Sequence, residues 1–119
     1  MKEQDIMSLI RIELSKLGYL VFRVNVGTGF TGNEVIKTEG GGVYLPQVRR
    51  FDTGLPKGFS DLFGLCPGGQ AFFIEVKTPT GRIRPEQITF LNRMRELGAN
   101  AGIARSVNDA IRIVRGEQL

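Results

Sequence analysis

The chain has 119 residues, enough for one domain with a single core, and its 41% apolar and 24% charged residues place it among globular proteins. It contains no histidine and one cysteine, Cys66. Ser-His-Asp and Cys-His hydrolases, histidine zinc sites and an internal disulfide are therefore excluded, which leaves carboxylates, lysine or a hard metal on oxygen ligands as the means of catalysis. The net charge of +4 leans toward an anionic partner. No apolar run is long enough to cross a bilayer, and the opening Met1-Lys2-Glu3-Gln4-Asp5 does not resemble a secretory signal. Together with the lone cysteine, this fits a reducing cytoplasm.

In chain order, Asp5 to Leu17 predicts an amphipathic helix stopped by Gly18. Tyr19 to Val26 reads as a strand, Gly27 to Gly42 as a long loop or flexible hairpin, and Val43 to Phe51 as a strand that Pro46 pushes toward an edge. Asp61 to Leu65 and Ala71 to Lys77 form two apolar strands joined by the turn Cys66-Pro67-Gly68-Gly69-Gln70. Pro85 opens a helix that runs to Leu97, with Gly98 as its stop. A short strand over Ala101 to Ala104 precedes a last helix begun by Ser106, with Asp109 three residues on. No repeat or dividing linker is evident, so residues 1–119 read as one α/β domain with a mixed sheet. Strand 71–77, the next helix and strand 101–104 form a β-α-β crossover.

The hairpin places the chemistry. With the turn centred on Gly68, residues whose numbers sum to about 136 face each other across the antiparallel pair. Asp61 and Glu75 meet that condition, and alternation puts Glu75 and Lys77 on one face. Two carboxylates about 4–5 Å apart repel each other unless a divalent cation lies between them. Such a cation can polarise a phosphoryl oxygen, and a neighbouring lysine can orient water and balance developing charge. The plainer reading of Glu-x-Lys is an ion-paired strand end. The helices bear on that choice: Glu13 falls between Leu9 and Leu17 in a stripe with Ile6 and Ile10, and Gln87 falls within Phe90, Leu91, Met94 and Leu97. A carboxylate or amide in an apolar stripe is costly without a partner, and one shared site would account for both.

Three stretches, Gly58-Phe59-Ser60-Asp61-Leu62, Ile74-Glu75-Val76-Lys77-Thr78-Pro79-Thr80-Gly81-Arg82 and Pro85-Glu86-Gln87, resemble the VRR-NUC family. That family is a branch of the PD-(D/E)xK nucleases with a restriction-endonuclease-like fold. The resemblance implies an αβββαβ core and Mg²⁺ or Mn²⁺ bound by Asp61, Glu75 and the Val76 carbonyl. It implies that Lys77 positions the attacking water and that Glu13 and Gln87 complete the site. Ser60 stands where the superfamily's eponymous proline would be, as is usual in this branch. The resemblance further implies a homodimeric endonuclease for branched DNA, acting in replication and repair.

Arg82, Arg84, Lys57 and Ser60 are the candidate DNA contacts, against the alternative of a solvated basic turn. Gly27-Thr28-Gly29-Phe30-Thr31-Gly32 matches GxGxxG, but Thr38 and Gly40-Gly41-Gly42 would not sustain the helix a dinucleotide site requires, so no nucleotide cofactor is expected. Two rival readings stay open at this point: a non-catalytic nucleic-acid-binding module, and a nuclease for RNA or unbranched DNA.

Overall fold

The computed structural model describes residues 1–32 and 34–119. They form two compact units, one made of residues 1–24 with 57–119 and the other of residues 25–56. Both buried apolar clusters belong to the larger unit.

The larger unit opens with α1, Glu3–Lys16. Its start is fixed by Lys2, whose extended backbone lets its N–H donate to the Asp5 carboxylate at 3.3 Å. It stops at Leu17 because Gly18 takes a φ of +90°, which a side chain would oppose. Strand β1, Leu20–Arg23, follows. It is shorter than the predicted Tyr19–Val26.

Residues 25–56 contain β2 (Thr28–Thr31), β3 (Ile36–Lys37), a 3₁₀ turn at Glu39–Gly41, β4 (Val43–Tyr44) and β5 (Arg49–Asp52). β2 pairs antiparallel with β5, and β3 with β4. The single strand predicted over Val43–Phe51 is broken in the middle. Pro46 has no N–H to give a ladder, and Gln47 turns the chain with a φ of 53°.

The chain then re-enters the larger unit with β6 (Leu62–Leu65), β7 (Ala71–Val76), α2 (Pro85–Glu96), β8 (Asn100–Ala104) and α3 (Val107–Val114). The sheet order is β1-β6-β7-β8, antiparallel except for the parallel β7–β8 pair that α2 connects. This is the expected mixed sheet flanked by helices, in the order αβββαβ with one more helix.

Period-two alternation along β7 sorts the two faces. Phe72, Ile74 and Val76 join Leu62 against Ile6, Met7, Ile10 and Leu14 of α1 and Ala110, Ile113 and Val114 of α3. Phe73 faces the other way, into a cluster with Leu91 and Ala101 that Phe59, Phe63 and Phe90 extend. Phe72, Ile74, Leu62, Ile10, Leu14 and Ile113 are essentially sealed from solvent. At about 1.5–3 kcal/mol for each such side chain, their burial outweighs the several kcal/mol that one buried ion costs. The sheet can therefore carry an expensive polar cluster at one end.

Candidate active site

β6 and β7 pair in the register read from the sequence: Leu62 faces Ile74 and Phe63 faces Phe73, which brings Asp61 and Glu75 to the same end. The Asp61 N–H donates to Glu75 Oε2 at 3.2 Å, and Asp61 Oδ2 accepts from the Val76 N–H at 2.8 Å. Each residue thus orients the other's strand. Gln87 Nε2 donates to Glu75 Oε1 at 2.7 Å, and Lys77 Nζ stands 3.8 Å from that oxygen. Asp61, Glu75, Lys77 and Gln87 therefore share one site, on the sheet face that α2 covers. Glu75, Lys77 and Gln87 are 3%, 8% and 4% exposed, so the ion pair that the plainer reading expects between Glu75 and Lys77 is present, but buried and shared with Gln87.

Two local features hold this geometry. Gly58 adopts a φ of +90°, and a Cβ there would lie 2.4 Å from the Glu86 carbonyl oxygen. Its missing side chain lets the loop before Asp61 lie on the first turn of α2. Gln87 uses both ends of its amide, since its Oε1 accepts from the Arg84 N–H at 2.9 Å while its Nε2 holds Glu75. The first turn of α2 is thereby tied to the carboxylate.

Burial pushes the Glu75 carboxyl up to about 8, and the neighbouring Asp61 charge adds to the rise. Lys77 lowers it, but not by enough to offset those two causes. Without a cation, the pair keeps a proton near neutrality.

Two sequence-predicted residues lie elsewhere in the site's surroundings than expected. Glu13 does not join the cluster. The buried stripe of α1 is Ile6, Met7, Ile10 and Leu14, while Leu9 and Leu17 are 40% and 50% exposed. The helix is rotated from the Leu9–Leu17 stripe, α1 packs on the sheet face opposite Glu75, and Glu13 pairs with Lys16 at 3.3 Å. The end of α1 nearer the site is its start, where Met1, Ile6 and Leu9 line a cavity with Pro79 and Arg105. The half-buried acid at that end is Glu3. Ser60, expected at a DNA surface, is 1% exposed and donates its hydroxyl to the Leu62 carbonyl at 2.9 Å. It clasps the backbone around Asp61, and its burial removes it from a DNA-contacting surface.

Val76 points its side chain into the α1–α3 core while its backbone flanks Glu75. Lys57, Arg82 and Arg84 are exposed, and Arg84 stands 3.8 Å from Glu86. Arg105 was not legible as a site neighbour from spacing alone. The parallel pairing of β8 sets it beside Lys77, whose N–H donates to the Ala104 carbonyl at 3.0 Å.

The profile of the VRR-NUC domain family matches residues 1–108, and the chain belongs to that family of nuclease-type domains. A solved structure described as a VRR_NUC domain is similar in fold, with a TM-score of 0.62 and 22% identity, over 97% of this chain and 96% of that one. No curated protein matches the chain significantly. Among the described residues, no helix is long and apolar enough to cross a membrane.

Proposed function

We propose that this nuclease domain is a Mg²⁺- or Mn²⁺-dependent DNA endonuclease, selective for branched DNA, with Asp61, Glu75, Lys77 and Gln87 as its working residues. The observation that carries the reading is the buried Glu75 carboxylate, held against the half-buried Asp61 and beside Lys77, an arrangement that is costly without a metal ion to place there. Two carboxylates and the Val76 carbonyl are hard oxygen donors that suit Mg²⁺ or Mn²⁺. Among the described residues no third acid joins them, so water would complete the shell, as Mg²⁺ prefers. When bound, the metal supplies Lewis-acid activation of the phosphate and of the attacking water.

The chain's own groups do the rest. Gln87 and the Asp61 N–H each hold one oxygen of Glu75, so the carboxylate cannot turn away from Asp61. The Lys77 ammonium aligns a water with the phosphorus and balances the negative charge that grows on the non-bridging oxygens. The water oxygen bonds to phosphorus as it gives up a proton to solvent, the P–O bond to the leaving sugar oxygen breaks, and that oxygen takes up a proton from solvent. Arg82, Arg84 and Lys57 lie on the surface as contacts for flanking phosphates.

The test is cleavage of labelled four-way-junction, flap, duplex and single-stranded DNA, with a matched RNA, in Mg²⁺ or Mn²⁺ and with an EDTA control. Lys77→Ala is expected to slow cutting by at least about 10²-fold while DNA still binds. Binding without cutting in either metal would leave a nucleic-acid-binding module in place of the enzyme. Preference for RNA or for unbranched duplex would redirect the substrate.

The same proposal includes a homodimer. Residues 25–56 contain no buried residue among those described, yet Phe30, Val35, Ile36, Val43, Tyr44 and Phe51 are 42–62% exposed. Two-stranded pairings of this size are marginal without cover. The segment balances Lys37, Arg49 and Arg50 against Glu34, Glu39 and Asp52, so it suits a second copy better than a polyanion. Light scattering of the native protein should give about twice the 13.2 kDa chain mass, and Phe30→Ser with Tyr44→Ser should return it to one. A native monomer at micromolar concentration would defeat this part of the proposal.

A further inference from the structure

We infer that Arg105 is a positioning residue for the reaction, a strut that holds the turn between Lys77 and α2 in its working shape. The inference rests on the nuclease reading above and assigns a role to a side chain outside the carboxylate cluster.

Residues Thr78 to Gly81 make the turn by which the chain leaves β7, closed by the Gly81 N–H donating to the Thr78 carbonyl at 3.0 Å. The turn is tight. A Cβ on Gly81 would stand 3.1 Å from Thr78 Oγ1 and 3.4 Å from Lys77 Cβ. One nitrogen of Arg105, Nη1, donates to both ends of it, to the Thr78 carbonyl at 2.6 Å and to the Gly81 carbonyl at 2.9 Å. Arg105 is itself anchored, because its backbone N–H donates to Asp109 Oδ2 at 2.9 Å, and Ser106 caps α3 by accepting from the Asp109 N–H at 3.1 Å. The guanidinium therefore reaches from the base of α3 across the end of the sheet to the turn that follows Lys77.

No carboxylate lies within ion-pairing distance of Arg105 among the described residues, so two carbonyls alone receive its bonds across the turn. A charged donor to neutral carbonyls makes a strong and directional bond. An arginine kept only for charge would gain more from an acid. The arrangement instead fixes the distance between Lys77, on one side of the turn, and Arg82 and the start of α2 on the other. Displacements of about 1 Å in such a frame cost on the order of 10²-fold in rate.

The experiment compares native protein with Arg105→Ala and Arg105→Lys. It reads single-turnover DNA cleavage at saturating substrate and Mg²⁺, DNA affinity, and hydrogen exchange at the Gly81 amide. Arg105→Ala should lower the cleavage rate about 10–100-fold and leave DNA affinity within about threefold. Gly81 exchange should rise at least about tenfold in the same variant as the turn opens. Arg105→Lys, which keeps the charge and three donors on a shorter stem, should recover part of the rate. Unchanged Gly81 protection in Arg105→Ala overturns the inference. So does a loss confined to DNA affinity, which would make Arg105 a phosphate contact. If Arg105→Ala does not fold, Arg105→Gln takes its place, and a native rate in that folded variant is equally fatal. A native protein that cuts nothing rejects the nuclease reading itself, and the Gly81 exchange then still decides whether Arg105 holds the turn.

Discussion

Asp61→Asn should abolish metal-dependent cleavage and at the same time make the metal-free protein more stable at alkaline pH. The reasoning starts from Glu75, whose folded-state value of about 8 lies above the ordinary 4.5. Between those values the folded chain holds a proton that the unfolded chain releases. The stability from this group is complete below about pH 4.5 and is lost as pH rises through about 8. The Asp61 charge is a main cause of the rise after burial itself, so the neutral amide should bring Glu75 down and shrink that loss. The amide oxygen can still accept from the Val76 N–H. At pH 9 without metal, Asp61→Asn should melt a few degrees above native, and near pH 4.5 the two should melt alike. Added Mg²⁺ should raise the native melting temperature and leave the variant unmoved. Below pH 8 the metal must displace the proton, so its apparent affinity for native protein should fall by about tenfold per pH unit. Calorimetry across pH 4.5 to 9 decides the matter; a Mg²⁺ shift that survives in the variant would contradict the assignment of Asp61.

Gly58→Ala should cost about 2–4 kcal/mol and lower the melting temperature by about 10 °C. One part of that cost is conformational, since a side chain at φ +90° is disfavoured by about 1 kcal/mol. The larger part is the contact of 2.4 Å with the Glu86 carbonyl oxygen, which belongs to backbone and cannot swing aside. Gly68→Ala separates the two. Gly68 has a similar φ of +95° but open space around it, so it should show the conformational cost alone. The displaced loop in Gly58→Ala carries Asp61, and the displaced helix carries Gln87. Cleavage should therefore fall further than the melting temperature explains at a temperature where the variant is folded. Equal losses of stability in the two variants, measured by urea or thermal melts, would reject the packing argument.

The parts of this molecule that follow from local periodicity were readable in the sequence. The β6–β7 hairpin joins two apolar strands through one short turn, so counting from Gly68 locates Asp61 against Glu75. Gln87 was legible because only one rotation of α2 buries Leu91 with Phe90 and Met94, and that rotation also buries the amide. Helix α1 had no such unique answer. Ile6 and Ile10 can be grouped with Leu9 and Leu17 or with Met7 and Leu14, and the choice is made by α3 and the sheet, which local spacing does not contain. Glu13 was misplaced for that reason. Ser60 reads as a polar loop residue, and only the return of the chain beneath it at Leu62 shows that it is buried. Arg105 lay beyond reach because its partners are more than twenty residues away and are backbone atoms, which leave no trace in composition.

The divided amide of Gln87 has a consequence for how this domain can change over time. One end begins a helix and the other restrains a carboxylate, so a replacement there is judged twice, once by folding and once by chemistry. Glutamate could keep the cap but would set a third negative charge beside Glu75 and Asp61. Leucine could fill the volume but would leave the Arg84 N–H and Glu75 Oε1 without this partner. Few side chains satisfy both demands, so this position should drift more slowly than its burial alone would suggest. An inactive descendant of this domain would be expected to relax here as soon as it loses Glu75.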